Sequence, residues 1–307
     1  MTLRQLVGVT VLGGAVIGLF VCIHLFQSDS RQLQKSAVHS QIHYQGRPAS
    51  YWKEQMRSNS SFIRLRPLIG AGDPAAIPLI AKLLSDEDVT VRQHAAQSLS
   101  TIGPQVRAVL PNVLVALRDG DRSVRMCAAL TLGSIPPIAD DTVIPLIEAL
   151  RDPEICVRIG AAEGLARMGA SAHRSIPALQ TALRDEDHYV AVQSALALYR
   201  IDRQIAPILP VLIEGLKDPN STRRSGAAKA IKELGPNAEG AVGALVDAMN
   251  DELLTFDAVD ALGAIGPKAQ NAVPSLLALL KNRQGPRWWI DDALRKIDPV
   301  TAAKVTQ

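Results

Sequence analysis

The sequence predicts an all-α protein, an α-solenoid of stacked antiparallel helix pairs with a period of roughly 33 residues. Three observations predict it. A proline recurs as Pro78, Pro111, Pro145, Pro177, Pro210 and Pro274, with Gly243 in the missing slot, at gaps of 33, 34, 32, 33, 33 and 31 residues. An aspartate recurs as Asp86, Asp119, Asp152, Asp185 and Asp218; six residues after each stand Arg92, Arg125, Arg158, then Ala191 as an exception, then Arg224. A core position recurs as Leu99, Leu132, Leu165, Leu198, Ile231, Leu262 and Leu294. Composition alone does not keep three registers in step over roughly 200 residues.

Each unit contains one longer and one shorter helix. In the stretch Asp152–Asp185, Val157, Arg158, Ala161, Ala162, Leu165 and Met168 fall at helical spacing, and Gly169 ends the run. Ile176, Pro177, Leu179 and Leu183 then form a short amphipathic helix with proline in its first turn. The longer helices close on Gly103-Pro104, Pro136-Pro137, Gly169-Ala170, Asp202-Arg203, Gly235-Pro236, Gly266-Pro267 and Asp298-Pro299. Glycine accepts the left-handed conformation at a helix end, and proline forbids continuation. Neither helix hides its apolar stripe alone, so stacking must bury the stripes as one continuous core.

Leu6 to Phe26 is 21 residues without a formal charge, long enough to span a bilayer. The following His24-Leu25-Phe26-Gln27 lacks a small-x-small exit, which favours an uncleaved signal anchor over a cleaved signal peptide. The expected organisation is therefore a membrane anchor over 1–27, a tether over 28–48, a degenerate capping helix pair over 49–72, seven repeats over 73–299 and a tail over 300–307. Trp52 is expected to cap the apolar end of the stack. The expected placement is a single-pass membrane protein with its repeats outside the cytoplasm. Arg4 on one flank and Arg31 with Lys35 on the other leave the positive-inside count nearly tied.

The pattern Asp-x-x-x-x-Val-Arg-x-x-Ala-Ala-x-x-Leu-x-x-Ile-Gly-Pro resembles HEAT repeats, and more closely the short HEAT-like repeats of the phycobilin lyase type. The resemblance covers roughly residues 50–299. It implies a right-handed solenoid in which Asp86, Asp119, Asp152, Asp185 and Asp218 form a ladder with Arg92, Arg125, Arg158 and Arg224, linking adjacent repeats. Arg287 takes the arginine role in the last unit. The gap at Ala191, together with Asp202-Arg203 in place of Gly-Pro, predicts a weaker or bent joint there.

No catalytic constellation is legible. HEAT-like hydroxylases use repeated His-Glu pairs, and this chain has no His-Glu dipeptide. There is no Cys-x-x-Cys and no phosphate-binding glycine loop. No cofactor or metal is expected. Cys127 and Cys156 are expected to be free, packed thiols. The net charge is +3 with both signs mixed, and aromatics are 4%, so no nucleic-acid partner is expected. Arg223, Arg224, Lys229 and Lys232 read as a solvated helix face.

The slot after the ladder arginine holds Gln93, Met126, Ile159, Val192, Ser225, Phe256 and Trp288. Five of these seven are apolar at a position that usually points away from the core stripe. Either they pack between adjacent long helices, or Met126, Ile159, Val192, Phe256 and Trp288 line a groove for a protein or peptide partner on the concave face. The expected function is a membrane-tethered, non-catalytic scaffold. The alternative is a lyase or chaperone-type protein handling a tetrapyrrole prosthetic group.

Overall fold

The structure is a computed structural model that describes residues 43–44, 47–57, 75–135, 139–282 and 287–305. The chain divides into two units, Met1–Gln55 and Met56–Gln307. In the first, β1 (His43–Tyr44) pairs antiparallel with β2 (Arg47–Pro48), where the sequence suggested plain tether. Helix α1 (Ala49–Arg57) follows. Trp52 is buried, with the Tyr51 ring edge-on at 5.1 Å, and the Arg47 guanidinium lies 5.0 Å from the Tyr51 ring centre.

The second unit alternates short and long helices. The short ones are α2 (Ile77–Leu83), α4 (Leu110–Ala116), α6 (Ala139–Ala149), α8 (Ile176–Ala182), α10 (Leu209–Gly215), α12 (Val242–Ala248) and α14 (Val273–Lys281). The long ones are α3 (Val89–Ile102), α5 (Arg122–Ser134), α7 (Ile155–Met168), α9 (His188–Asp202), α11 (Ser221–Leu234), α13 (Thr255–Ile265) and α15 (Arg287–Ile297). Helix α16 (Pro299–Val305) follows, where a tail was expected. Each long helix packs on the next, from α3 to α15. The recurrent core positions Leu99, Leu132, Leu165, Ile231, Leu262 and Leu294 are fully buried between the layers.

Proline opens α2, α4, α8, α10 and α14, where its missing N–H has no helical partner to lose. Pro145 departs from the rule and lies inside α6, which begins six residues earlier than the proline. Gly103, Gly169, Gly235 and Gly266 carry positive φ at the ends of α3, α7, α11 and α13. Four 3-10 turns, Pro104–Val109, Gly169–Ser175, Gly235–Ala241 and Gly266–Ala272, then lead to the next short helix. After α9 the left-handed position falls to Arg203, the only non-glycine residue with positive φ among the described residues. Its N–H donates to Tyr199 O, and its guanidinium covers the Tyr199 ring at 4.7 Å. These contacts offset a backbone cost of about 1–3 kcal/mol.

Glycine sets the tightest joint. A methyl group on Gly133 of α5 would fall 2.4 Å from Gly164 Cα of α7, and one on Gly164 would fall 2.8 Å from Ala129 O. The α5–α7 contact is the most extensive in the fold. The α9–α11 contact is the least extensive between successive long helices. There the Tyr189 ring stands against Gly226, 2.6 Å from the site of an added methyl. This is the joint that lacks its ladder arginine.

The membrane placement is corrected. Among the described residues no helix is long and apolar enough to cross a membrane. The longest, α9, has 15 residues, about 22 Å at 1.5 Å per residue, against a hydrocarbon core of about 30 Å. Leu6–Phe26, where the anchor was expected, lies outside the described residues, as does Cys22. Cys127 and Cys156 are free thiols, and burial, with the Asp121 and Cys156 charges adding, pushes Cys127 up to about 11.

Gly133→Ala has no room without separating two backbones, and a loss of about 1–3 kcal/mol is expected in denaturant unfolding. Gly243→Ala, with nothing within 4 Å of the added methyl, should gain about 0.4–1 kcal/mol in the same assay.

Candidate functional site

The ladder begins in the turn between a short helix and the following long one. Each Asp Oδ1 accepts the N–H two residues on: Asp88 to Asp86, Asp121 to Asp119, Glu154 to Asp152, Asp187 to Asp185 and Asn220 to Asp218, at 2.8–3.0 Å. At four of these five turns the side chain two residues on then caps the long helix, Glu154 before α7 being the exception. Asp88 accepts from Thr90 N, Asp121 from Ser123 and Val124 N, Asp187 from Tyr189 and Val190 N, and Asn220 from Arg223 N. These caps are separate from the ladder carboxylates, which leaves the latter free to bind arginine.

Arginine then joins two turns at once. Arg92 donates forward to Asp119 through Nε at 2.8 Å and Nη2 at 3.2 Å, and its Nη1 donates to Asp86 O at 2.8 Å. Arg125 repeats this with Asp152 at 2.8 and 3.0 Å and with Asp119 O at 2.9 Å. Arg158 repeats it with Asp185 at 2.8 and 2.9 Å and with Asp152 O at 2.9 Å. Planar guanidinium and carboxylate match bidentately, so each rung fixes the orientation of one unit on the next. Burial pushes the Asp152 carboxyl up, but the hydrogen bonds from Arg125 and the Glu154 N–H and the charges of Arg125 and Arg158 outweigh it and hold the group below the ordinary carboxylate range. At Asp121, burial is likewise outweighed by hydrogen bonds from Gln93, Val124 and Ser123 and by the Arg92 charge.

At the fourth unit the rung is rebuilt from the other side. Ala191 offers no guanidinium, and a cleft of about 240 Å³ opens beside it, lined by Arg184, His188, Val211 and Gly215 among others. Arg223 of α11 reaches back instead, with Nη1 2.9 Å from Asp187 Oδ2 and 3.9 Å from Asp218 Oδ2, both carboxylates being buried. Arg200 of α9 adds a bidentate pair with Glu233 of α11, both contacts at 2.6 Å. The ladder then resumes: Arg224 Nη2 lies 2.7 Å from Asp251 Oδ2, and Nη1 donates to Asp218 O at 2.8 Å. Arg287 meets Asp291 of its own helix at 3.5 Å.

The row after the ladder arginine does not form one continuous groove. Val192 is 1% exposed and points into the layer of short helices, where Gly215 leaves it room; it is corrected out of the row. Met126 and Ile159 are half-buried, Met126 lying against Gly160 of α7. Gln93 hydrogen-bonds Asp121, and the Ser225 hydroxyl donates to Asp257. Phe256 and Trp288 stand out, 52% and 67% exposed. Phe256 stacks on the buried Trp289 at 5.0 Å, and Phe256 and Trp288 hold the same repeat slot on the successive helices α13 and α15. Glu163, on the same side of the long helices, is raised by burial, and the Arg167 and Arg200 charges only partly offset this.

A sequence model of the family described as HEAT repeats matches residues 78–148 and 143–232. The chain belongs to the HEAT-repeat family. No curated protein matches it. Among solved structures it is similar to the complex of CpcE and CpcF of phycocyanin lyase from Nostoc sp. PCC7120, at 20% identity over 75% of this chain and 94% of that one, with a TM-score of 0.51. It is also similar to the karyopherin Kap121p bound to the SUMO protease Ulp1p, at 15% identity over 77% of this chain and 30% of that one, TM-score 0.54. Kap95p with RanGDP matches at 13% identity over 84% of this chain and 40% of that one, TM-score 0.50.

This HEAT-repeat chain contains contacts that the sequence reading missed. Asp251 is the carboxylate of the Arg224 rung, and Arg223 replaces the absent arginine. The spacing from Asp218 to Asp251 is one period, so Asp251 was visible in the register; Arg223 was not, because its role depends on a side chain turning backwards. A further row, Arg118, Arg151, Arg184 and Lys217, immediately precedes four ladder aspartates at intervals of 33 residues.

Arg158→Met leaves the partly buried Asp185 without its guanidinium partner, and a loss of about 2–4 kcal/mol, below that of a fully buried pair, is expected in chemical unfolding. Arg223→Ala should also destabilise, and Ala191→Arg in that background should restore most of the loss by supplying the forward rung. The depressed Asp152 and Asp121 carboxyls contribute stability above their unfolded pKa of about 3.9. That stability is lost as the pH falls below about 4, towards the lower folded values. Glu163 has the opposite sign, adding stability as the pH falls towards about 4.3. Unfolding of Asp152→Asn should therefore depend less steeply on pH below about 4 than the wild-type chain.

Proposed function

We propose that this HEAT-repeat protein is a non-catalytic scaffold that binds a protein or peptide partner. The observation that carries the reading is the aromatic surface of α13 and α15, where Phe256 and Trp288 stay exposed although the adjoining long helices bury their core positions completely. Large aromatic side chains left in water beside a well-packed core are the residues that anchor protein interfaces. Met126 and Ile159 extend the apolar character of the long-helix side toward the middle of the stack. The similar structures support the reading in kind, since the solved forms are a complex of two chains and two karyopherins bound to other proteins. The ladder residues serve this function as framework, keeping the row of long helices in fixed register.

One observation favours a second reading, a lyase or chaperone-type protein for a tetrapyrrole: the similarity to the phycocyanin lyase complex. Visible absorption of the purified chain, alone and after incubation with a linear tetrapyrrole, separates the two. A bound chromophore supports the second reading.

A photoreactive amino acid at position 288 of the full chain should give a discrete crosslinked protein in its own cells. Ile159→Ala with Phe256→Ala should weaken that product about tenfold or more, the loss of a contact of about 1.4 kcal/mol. A product of unchanged intensity in the double variant removes the long-helix side from the interface.

A further inference from the structure

We propose that the edge of the stack at the C-terminal ends of α4, α6, α8 and α10 is a second docking surface, for an extended acidic segment of a partner protein. Its apolar side chain sits between α4 and α6, and its carboxylates meet Arg151 and Arg184. The proposal rests on the scaffold reading and adds to it a face and a partner chemistry.

Three clefts follow one another along this edge. The first, about 510 Å³, lies between α4 and α6 and is lined by the apolar Leu114, Val115, Leu117, Pro145 and Ala149 and by the charged Arg118, Glu148 and Asp152, the last already held by Arg125. Val115 is 66% exposed there. Successive short helices scarcely touch along this edge, from α4 to α10. The second, about 210 Å³, lies between α6 and α8, over Leu150, Ala178 and Ala182, with Arg151 and Arg184 on it. Helix α6 is the wall shared by these two clefts. The third is the cleft beside Ala191, which shares Arg184 with the second.

The charges on this edge are not equivalent. Arg118 faces Glu148 at 3.9 Å, and Lys217 pairs with Glu214 at 2.9 Å. Arg151 and Arg184 are exposed and have no carboxylate partner among the described residues. Asp185, the carboxylate in their cleft, is already held by Arg158. A basic residue at a helix C-terminus is favoured by the helix dipole, which accounts for the sign of each charge. It does not account for two unpaired guanidinium groups on one cleft, where a carboxylate is the complementary ligand.

The dimensions fit an extended chain. Packed helices lie roughly 8–10 Å apart, which an extended segment covers in about three residues at about 3.3 Å each. The segment thus carries two acidic residues about three apart, and an apolar anchor about three residues beyond them. A nucleic acid fits poorly. Its phosphates run without interruption past Glu148, Glu186 and Glu214, and it has no aliphatic group for the first cleft.

Selection of a random peptide display library on the full chain tests this, with isolated peptides measured by fluorescence anisotropy. Enriched peptides should carry spaced Asp or Glu with an apolar residue. Their affinity should fall about tenfold or more in Arg151→Glu/Arg184→Glu, and should weaken with added salt. It should be unchanged in Phe256→Ala/Trp288→Ala. Both arginines are exposed, so the variant should fold, with its unfolding midpoint lowered only by the lost helix-dipole interaction, and Arg151→Gln/Arg184→Gln, which adds no negative charge, should show the same direction of affinity loss. Peptides that enrich without acidic residues, or whose binding survives the charge reversal, overturn the proposal. If their binding instead falls in Phe256→Ala/Trp288→Ala, the scaffold reading stands on its first surface alone. A library that yields no binding peptide overturns this proposal and counts against a peptide-binding scaffold as well.

Discussion

A pair of helices of 7–15 residues has more apolar surface than it can hide, and the fold depends on each pair covering its neighbour. This makes the joint, rather than the repeat, the element on which stability rests. Each joint has two components of different character. Burial of leucine and alanine between long helices supplies most of the free energy but sets angles loosely, because it has little direction. The arginine rung adds modest energy and strong direction, since a guanidinium held by two backbone carbonyls and one carboxylate has a single orientation. Together they explain why the aspartate does not cap its own helix. Its carboxylate is required by the preceding unit, and the helix N-terminus is served by a different side chain two residues on.

Variation along the stack follows from what fills each joint. Between α5 and α7 glycine removes side chains from the contact and the long helices close up. Between α9 and α11 a tyrosine ring stands against Gly226, the forward arginine is missing, and Arg203 holds a positive φ at a helix end where other long helices carry glycine. Three departures from the repeat pattern thus fall in one place. Arg223 and the Arg200–Glu233 pair hold that joint with side-chain bonds rather than with close backbone packing, and such a joint has more freedom to change its angle.

The sequence shows those features that repeat. The prolines, aspartates, arginines and core leucines recur because every joint needs them, so the architecture is legible from spacing alone. What it does not show is how one joint differs from another. Val192 occupies the same slot as Met126 and Ile159, yet it turns inward because Gly215 leaves space in the facing helix, and no periodicity within one helix reports the size of a residue on another. Arg223 looks like one member of a solvated basic cluster, and only the buried positions of Asp187 and Asp218 reveal its task. The clefts are invisible for the same reason: each lies between side chains of two short helices that no periodicity within one helix brings together.

The assignment of charges gives the most direct route from this framework to recognition. A HEAT-repeat chain spends guanidinium and carboxylate groups on its own joints, and a charge engaged there is neutralised by its partner. Arg92, Arg125, Arg158, Arg200, Arg223 and Arg224 are all accounted for in this way. Recognition is left to groups outside the ladder and its ion pairs, and these differ between the two sides of the stack. On the long-helix side they are aromatic and gathered at α13 and α15. On the edge of the short helices they are basic, spaced by one period, and set beside apolar clefts. A partner that reads both has to match a shape fixed by the rungs, so a change of angle at the α9–α11 joint alters the distance between the two surfaces without altering either one.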